Sequence, residues 1–165
     1  MLISLDASSL FTNVPIELVK NSIDKRYSSI MKQTHTPLIE LHKAIDFSHN
    51  NTVFQFNNQY YKQIYCSPMG SAVSSIFANL VLEDLEEHCL SLLDFKPVFF
   101  VRYVDDILTC IPIDKTKHTL EIFNSYHNRL QFTHETKVDN SINFLDFKLT
   151  RQNNKLIHIW YRKPT

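Results

Sequence analysis

The sequence predicts an α+β fold in which helices pack on one face of a mainly antiparallel sheet. Segments with the alternating apolar pattern of strands are interleaved with amphipathic segments of helical period. Short polar turns also join several of the predicted strands, as in hairpins. The 165 residues suit one compact domain, and because Gly70 is the single glycine, the turns must rely on Asn, Asp, Ser and Pro.

The first half of the chain predicts a strand, two helices and a hairpin. Pro15 falls early in the first helical turn, and Glu17 lies near the positive end of the helix dipole. Asn57 and Asn58 supply the two-residue turn of the hairpin. In chain order, the segments are a strand at 2–6, helices at 13–31 and 37–48, and hairpin strands at 52–56 and 59–65.

The second half begins with a long amphipathic helix that is expected to start at Gly70. Glu83, Asp84, Glu86 and Glu87 are expected to mark its solvent side. The later segments are strands at 98–104 and 107–111, a helix at 115–130, a strand near 132, and a hairpin of 142–150 with 155–161. Small ferredoxin-like domains share this architecture and host many functions, so the fold alone predicts none of them.

Composition argues against several classes of protein. No apolar run is long enough to cross a membrane, and the start of the chain lacks the features of a signal peptide. Cys66, Cys89 and Cys110 are widely spaced, which argues against a disulfide framework or a zinc site and favours a reducing intracellular compartment. The 17 basic and 17 acidic residues balance, whereas a nucleic-acid enzyme usually has a basic excess. Basic residues cluster near the carboxyl end, and taken alone this cluster is better explained as a solvated strand face.

The residue pattern that most clearly points to chemistry consists of Asp6, Asp105 and Asp106. Neighbouring carboxylates between two apolar strands do not help folding, because like charges repel and two-residue hairpins prefer Asn-Gly or Asp-Gly. Divalent cations would make the arrangement favourable. Asp6 also ends an apolar strand, and its carboxylate converges with the other two if their strands are neighbours. Three carboxylates suit two Mg²⁺ ions about 3.5–4 Å apart, as in nucleotidyl transfer. Taken singly, Asp6 is better explained as a strand-end or capping residue.

Four segments resemble, in order, the motifs of reverse transcriptases, in the form typical of Penelope-like retroelements. They are DASSLFTNVP at 6–15, SPMGSAVSSIFANL at 67–80, RYVDD at 102–106, and NFLD at 143–146 followed by YRKPT at 161–165. Together they span essentially the whole chain. The resemblance implies a polymerase palm and RNA-directed DNA polymerase activity. Two Mg²⁺ ions, or Mn²⁺, would support transfer of deoxynucleotides from dNTPs to a DNA primer on an RNA template.

The resemblance also implies roles for individual residues. Asp6, Asp105 and Asp106 would be the catalytic metal ligands. Phe11 would be a steric gate that crowds a ribose 2′-hydroxyl, although a core phenylalanine is the commoner role of such a residue. Tyr103 would contact substrate.

A turn, a basic ending and two polar residues complete the predicted site. Met69, Gly70 and Ser71 would contact the incoming nucleotide at the start of the long helix, where free N–H groups suit phosphate; an ordinary helix start is the alternative. The basic ending, Arg162 and Lys163, would lie near the primer backbone. Two further polar residues have weaker signals: Asn79 is expected in the apolar middle of the helix, and Lys137 matches a lysine that protonates pyrophosphate.

The chain departs from the family pattern in two respects. Cys66, Ala72 and Ser75 stand where the second motif usually has Gly, Pro and Pro. The chain also starts almost on the first motif, so we expect a palm segment over 1–165, with fingers, thumb and endonuclease parts absent. A truncated silent remnant, a nucleic-acid-binding module and a nucleotidyl cyclase are the alternatives. The resemblance further implies nuclear residence.

Overall fold

Strands and helices alternate along the sequence, as predicted, and every strand pair among the described residues is antiparallel. The computed structural model describes residues 1–63, 70–136, 140–153 and 155–162. The strands are β1 (Leu2–Ala7), β2 (Val53–Phe56), β3 (Gln59–Lys62), β4 (Phe100–Tyr103), β5 (Asp106–Cys110), β6 (Phe132–Thr136), β7 (Ser141–Phe144), β8 (Phe147–Gln152) and β9 (Lys155–Trp160). The helices are α1 (Ile16–Thr34), α2 (Leu38–Asn50), α3 (Ser74–Leu92) and α4 (Thr116–Ser125), with 3₁₀ turns at Leu10–Thr12 and Ile113–Lys115.

The chain divides into two compact units. The first unit comprises Met1–Ser8 and His88–Thr165, and the second comprises Ser9–Glu87. In the first unit a four-stranded sheet has the order β4-β5-β1-β6. Strand β1 therefore lies inside the sheet, and Ile3 and Leu5 on it are completely buried.

Helix α4 closes the core of the first unit through one aromatic side chain. Phe123 is fully buried. Its ring lies 6.2 Å from that of Phe100 and 5.5 Å from that of Phe132, so it contacts both outer strands of the sheet. The helix is shorter than predicted: it ends at Ser125, and the chain then folds through an isolated bridge between His127 and Leu130 before β6.

A second sheet of the first unit has three strands in the order β7-β8-β9. The sequence predicts one continuous strand over 142–150, but the structure divides this segment into two strands with a turn at Leu145 and Asp146. Leu145 takes a φ of 53°, and the Tyr161 N–H donates to the Asp146 carbonyl at 2.7 Å. The turn and the segment after β9 are therefore held together.

The second unit contains α1, α2, the β2–β3 hairpin and the part of α3 before His88. Pro15 directly precedes α1 as its N-cap, so the helix begins at Ile16 and not at residue 13 as predicted, and Pro15 lies outside the first turn. In the hairpin turn, Asn57 and Asn58 have φ values of 50° and 60°. Two consecutive positive φ angles define the turn expected from an Asn-Asn pair, so this prediction is confirmed.

Two predictions about α3 are wrong. The helix begins at Ser74, four residues after Gly70. A separate turn precedes it, in which the Ser74 N–H donates a hydrogen bond to the Ser71 carbonyl. Asp84, expected on the solvent side, is only 4% exposed. It accepts hydrogen bonds from Ser22 and Arg26, which explains how a carboxylate occupies a buried position.

None of the helices in the described ranges is long and apolar enough to cross a bilayer.

Candidate active site

The hairpin that joins β4 to β5 has a two-residue turn, Val104 and Asp105. Val104 takes a φ of 56°, a left-handed conformation that is uncommon for a β-branched residue, whereas Asp105 does not. A positive φ at the first turn residue alone is the pattern of a type II′ turn, which usually has Gly there. Arg102 donates from Nη1 to the Val104 carbonyl at 3.1 Å and helps to hold the turn. Asp105 therefore lies on a strained turn, and Asp106 follows it directly as the first residue of β5.

Strand register brings the third carboxylate to the same place. Asp6 on β1 is directly opposite Asp106 on β5. Strands β1 and β4 both run antiparallel to β5, which lies between them, so their carboxyl ends reach the same edge of the sheet. The Ala7 N–H also donates to the Asp105 carbonyl at 3.3 Å.

These carboxylates line an open cleft of about 550 Å³ within the first unit. Alternate residues of β1 and β6 form one wall, because Ser4 pairs with Glu135 and Asp6 pairs with Thr133. The β7–β8 turn and the segment after β9 form the other. The lining residues are Ser4, Asp6, Asp105, Asp106, Thr133, Glu135, Asn143, Phe144, Leu145 and Tyr161.

The cleft has the chemistry of a cation site. Its polar lining consists of carboxylate, hydroxyl and amide groups, and among the described residues no Lys, Arg or His lines it. Hard oxygen ligands suit Mg²⁺, which is commonly held by one or two carboxylates together with water and substrate phosphates. Within the described ranges, no three carboxylate, imidazole or thiol groups are already gathered around one point. The residues present thus fit a divalent cation that shares its ligands with a phosphate substrate.

The other predicted site residues lie in different surroundings. Tyr103 pairs with Asp106 in the sheet, but its side chain is 63% exposed and does not line the cleft. Phe11 lies half-buried in the 3₁₀ turn of the second unit. Arg162 is exposed after the end of β9. The roles predicted for these residues remain predictions.

Some predicted positions fall outside the described residues, and one is placed differently. Met69 and Lys163, together with Cys66 and Lys137, lie outside the ranges that the structure describes. Asn79 is exposed rather than buried in an apolar face, and its amide donates to Glu83 Oε1 at 2.7 Å. This hydrogen bond to the next turn of α3 satisfies the Asn79 amide, so no contact with a substrate is needed to explain the polar residue at this position.

Gly70 and Ser71 precede α3 rather than begin it, so they do not supply the free N–H groups of the helix start, and their predicted contact with the nucleotide stays a prediction. Gly70 has a φ of 85°, and a Cβ built there would meet nothing within 4 Å. Backbone conformation, and not crowding, therefore requires glycine at this position.

Replacing Gly70 with alanine is expected to destabilise the protein by about 1–2 kcal/mol, since the left-handed conformation is costly for an L-residue. Gly70→Asn should cost less, because asparagine tolerates this conformation. Urea unfolding of the two variants measures the difference. Equal stability of Gly70→Ala and the parent chain would contradict the assigned backbone constraint.

Seven cleft residues are not among the predicted site residues: Ser4, Thr133, Glu135, Asn143, Phe144, Leu145 and Tyr161. Thr133 and Glu135 on β6, and Asn143 and Tyr161 near the second sheet, all line the cleft. The alternation of Thr133 and Glu135 matches that of Ser4 and Asp6 on β1 and is visible in the sequence. The register that places them opposite each other depends on tertiary pairing, which the sequence does not display.

Comparison with known proteins identifies the fold. No protein-family profile and no curated protein sequence matches the chain. Among solved structures, telomerase from Candida albicans in complex with a TWJ fragment of telomeric RNA matches with a TM-score of 0.67 and 14% identity, over 94% of this chain and 30% of that one. Apo telomerase from Candida tropicalis matches with a TM-score of 0.68 and 12% identity, over 90% and 30% of the two chains. The Sicinivirus 3Dpol RNA-dependent RNA polymerase matches with a TM-score of 0.54 and 16% identity, over 96% and 36%.

These matches show that the chain has an α+β fold similar to a polymerase palm, as the sequence predicts. At identities of 12–16% the likeness concerns the fold alone. The chain spans about a third of the length of these polymerases, between 30% and 36%.

Proposed function

We propose that this chain is the catalytic palm of a reverse transcriptase and supports RNA-directed DNA synthesis. The main supporting observation is the pairing of Asp6 with Asp106, beside Asp105 on a strained turn, in a cleft lined by oxygen ligands. A palm-like fold alone would suit many functions. Three carboxylates at one edge of such a fold favour nucleotidyl transfer.

The proposed chemistry assigns distinct tasks to the cleft residues. Asp6, Asp105 and Asp106 would hold the divalent cations, which supply charge stabilisation at the transferring phosphoryl group. The strained turn fixes Asp105 and Asp106 relative to each other, so little reorganisation is needed when substrate arrives. The four-stranded sheet holds Asp6 from the buried strand β1, which keeps its position rigid.

The substrates and partners follow from the same proposal. They are dNTPs, a DNA primer and an RNA template, with Arg162 and Lys163 near the primer backbone and Met69, Gly70 and Ser71 near the nucleotide. The motif order described above favours a Penelope-like lineage and, with it, nuclear residence. Fingers, thumb and endonuclease parts would belong to a longer protein.

Primer extension on an RNA template tests the proposal. We expect Mg²⁺-dependent incorporation of dNTPs by the chain joined to fingers and thumb of a related enzyme. An Asp105→Asn/Asp106→Asn double variant, which keeps the shape of the turn and removes two charges, should abolish it. The same primer-extension assay with the isolated chain shows whether the palm needs fingers and thumb for activity. No incorporation by either form would overturn the proposal and favour a silent remnant.

Phe11→Val is expected to raise incorporation of ribonucleotides relative to deoxynucleotides by about 10–200-fold, the range for small steric changes in a pocket. The physical reason is that valine leaves room for the 2′-hydroxyl that a phenyl ring would crowd. Competing dNTP and rNTP in the same extension assay gives the ratio. Phe47→Val, which replaces a 71% exposed phenylalanine of α2, is the control and should leave the ratio unchanged.

A further inference from the structure

The β2–β3 hairpin presents large aromatic side chains to solvent. Phe54, Phe56, Tyr60 and Tyr61 are 50%, 69%, 77% and 41% exposed. All residues of the two strands are exposed, so these rings do not contribute to a core. A cluster of exposed aromatic side chains on one short element is a feature of binding surfaces.

One face of the hairpin is an ordered aromatic surface. The pairings of Phe54 with Tyr61 and of Phe56 with Gln59 place these four side chains on the same side, which we call the aromatic face. The Phe54 and Tyr61 rings stack at 5.6 Å with an angle of 19° between their planes. The Tyr61 hydroxyl donates to Gln59 Oε1 at 2.9 Å, which fixes its ring. Tyr60 lies on the opposite face.

The absence of acidic residues from the surrounding segment of the sequence suits a polyanion. The sequence contains no Asp or Glu between Asp46 and Glu83, although 17 acidic residues are distributed over the rest of the chain. Gln59 lies on the aromatic face and Asn57 and Asn58 form the adjoining turn, whereas Gln55 and Lys62 lie on the opposite face. A phosphate backbone could approach without meeting a carboxylate of this segment, and the carboxamides offer donors and acceptors to base edges.

We infer that the aromatic face binds a single-stranded nucleic acid by stacking of its bases. Phe54 and Phe56 are two residues apart on β2, about 6.8 Å along the strand, which is twice the separation of about 3.4 Å between stacked planes. A base can therefore stack between neighbouring rings or on the outer one. Stacking is tolerant of sequence, because every base has a π face. The inference rests on the proposed function in one respect: the single strand would be an unpaired part of the RNA template.

Fluorescence anisotropy of the full chain with a labelled oligouridylate of about 12 nucleotides tests this inference without Mg²⁺ or dNTPs. Phe54→Ile/Phe56→Ile keeps apolar, strand-favouring side chains and removes both rings. Its affinity should fall by about 5–100-fold, and by the same factor at low and high salt because stacking is not ionic. Tyr60→Ile, an equally drastic change on the opposite face, is the matched control and should stay within about twofold.

The outcomes separate this inference from the proposed function. Unchanged affinity of the double variant with a native circular dichroism spectrum would overturn the aromatic face as a binding surface, as would absence of binding by the parent chain. If the double variant instead loses self-association in light scattering, the face is a protein interface and the inference is wrong. If it unfolds, Phe56→Ile alone provides the test, because the Phe56 ring is outside the stack of Phe54 and Tyr61. Because the binding assay contains no Mg²⁺ or dNTPs, a loss of oligouridylate affinity in Phe54→Ile/Phe56→Ile would support this inference even if polymerase activity is never observed.

Discussion

Replacing Asp6 with asparagine is expected to lower the rate of deoxynucleotide incorporation by about 10³-fold or more. Asp6 lies opposite Asp106 and lines the cleft, so the variant changes the site at its centre. The amide preserves the size of the side chain and its place on β1 but removes the negative charge that a divalent cation requires. Single-turnover primer extension with Mg²⁺, in the chain joined to fingers and thumb, measures the effect.

Two carboxylates provide controls for the Asp6 experiment. Glu135→Gln removes a charge from the same cleft at a position outside the predicted ligand set, and Asp114→Asn removes an exposed charge from the 3₁₀ turn before α4. Both should change the rate by less than about threefold. A loss in Glu135→Gln as large as that in Asp6→Asn would mean that overall negative charge, and not three particular ligands, matters. Full activity of Asp6→Asn would contradict the proposed site.

Local chemistry is sufficient to predict some elements of this fold. The Asn57-Asn58 turn follows from the ease with which asparagine takes positive φ, and both residues do so. Pro15 indicates the start of α1 to within three residues, since the predicted helix begins at residue 13 and the observed one at Ile16. Where one residue has several possible uses, the prediction fails: Gly70 can begin a helix or permit a left-handed turn, and the structure uses it for the turn.

Only part of the candidate site could likewise be predicted from the sequence. Adjacent aspartates between two apolar strands indicate chemistry without any tertiary information, because folding does not favour them. The cleft walls cannot be predicted in this way. Glu135 and Thr133 reach the cleft through the pairing of β6 with β1, and Asn143 and Tyr161 through the turn that divides the predicted strand 142–150. Both features depend on contacts between residues distant in sequence.

The error at Asp84 shows how tertiary partners override a periodic pattern. Helical spacing places Asp84 beside other acidic residues of α3, which predicts solvent exposure. In the structure, the Ser22 hydroxyl donates to Asp84 Oδ2 at 2.5 Å, and Arg26 Nη1 donates to Oδ1 at 2.9 Å. Lys25 Nζ lies 3.4 Å from Oδ2. Burial alone would raise the pKa of Asp84, but these hydrogen bonds and charges from α1 outweigh it and lower the pKa below its ordinary value of 3.8.

Replacing Asp84 with alanine is accordingly expected to reduce the free energy of unfolding by about 2–4 kcal/mol, because the buried Ser22 hydroxyl and the Arg26 guanidinium lose their acceptor. The estimate lies towards the lower part of the range for buried pairs, since the Arg26 side chain is 29% exposed and can recover some hydration. Glu83→Gln is the matched control: Glu83 also accepts from Arg26, at 3.2 Å, but is 46% exposed. The free energy of unfolding should fall by less than about 0.5 kcal/mol in Glu83→Gln.

The same carboxylate should make stability depend on pH. Because the pKa of Asp84 is lower in the folded protein than its ordinary 3.8, the unfolded chain binds more protons between the two values, and stability rises with pH there. The contribution of Asp84 is therefore present above pH 3.8 and lost as the pH falls through the lowered folded pKa. Urea unfolding of the parent chain and Asp84→Ala should show a constant difference between about pH 5 and 7 and a shrinking one below about pH 4. If the difference in unfolding free energy between the two proteins stayed constant down to acidic pH, the packing of the Asp84 side chain, and not its charge, would stabilise the contact of α3 with α1.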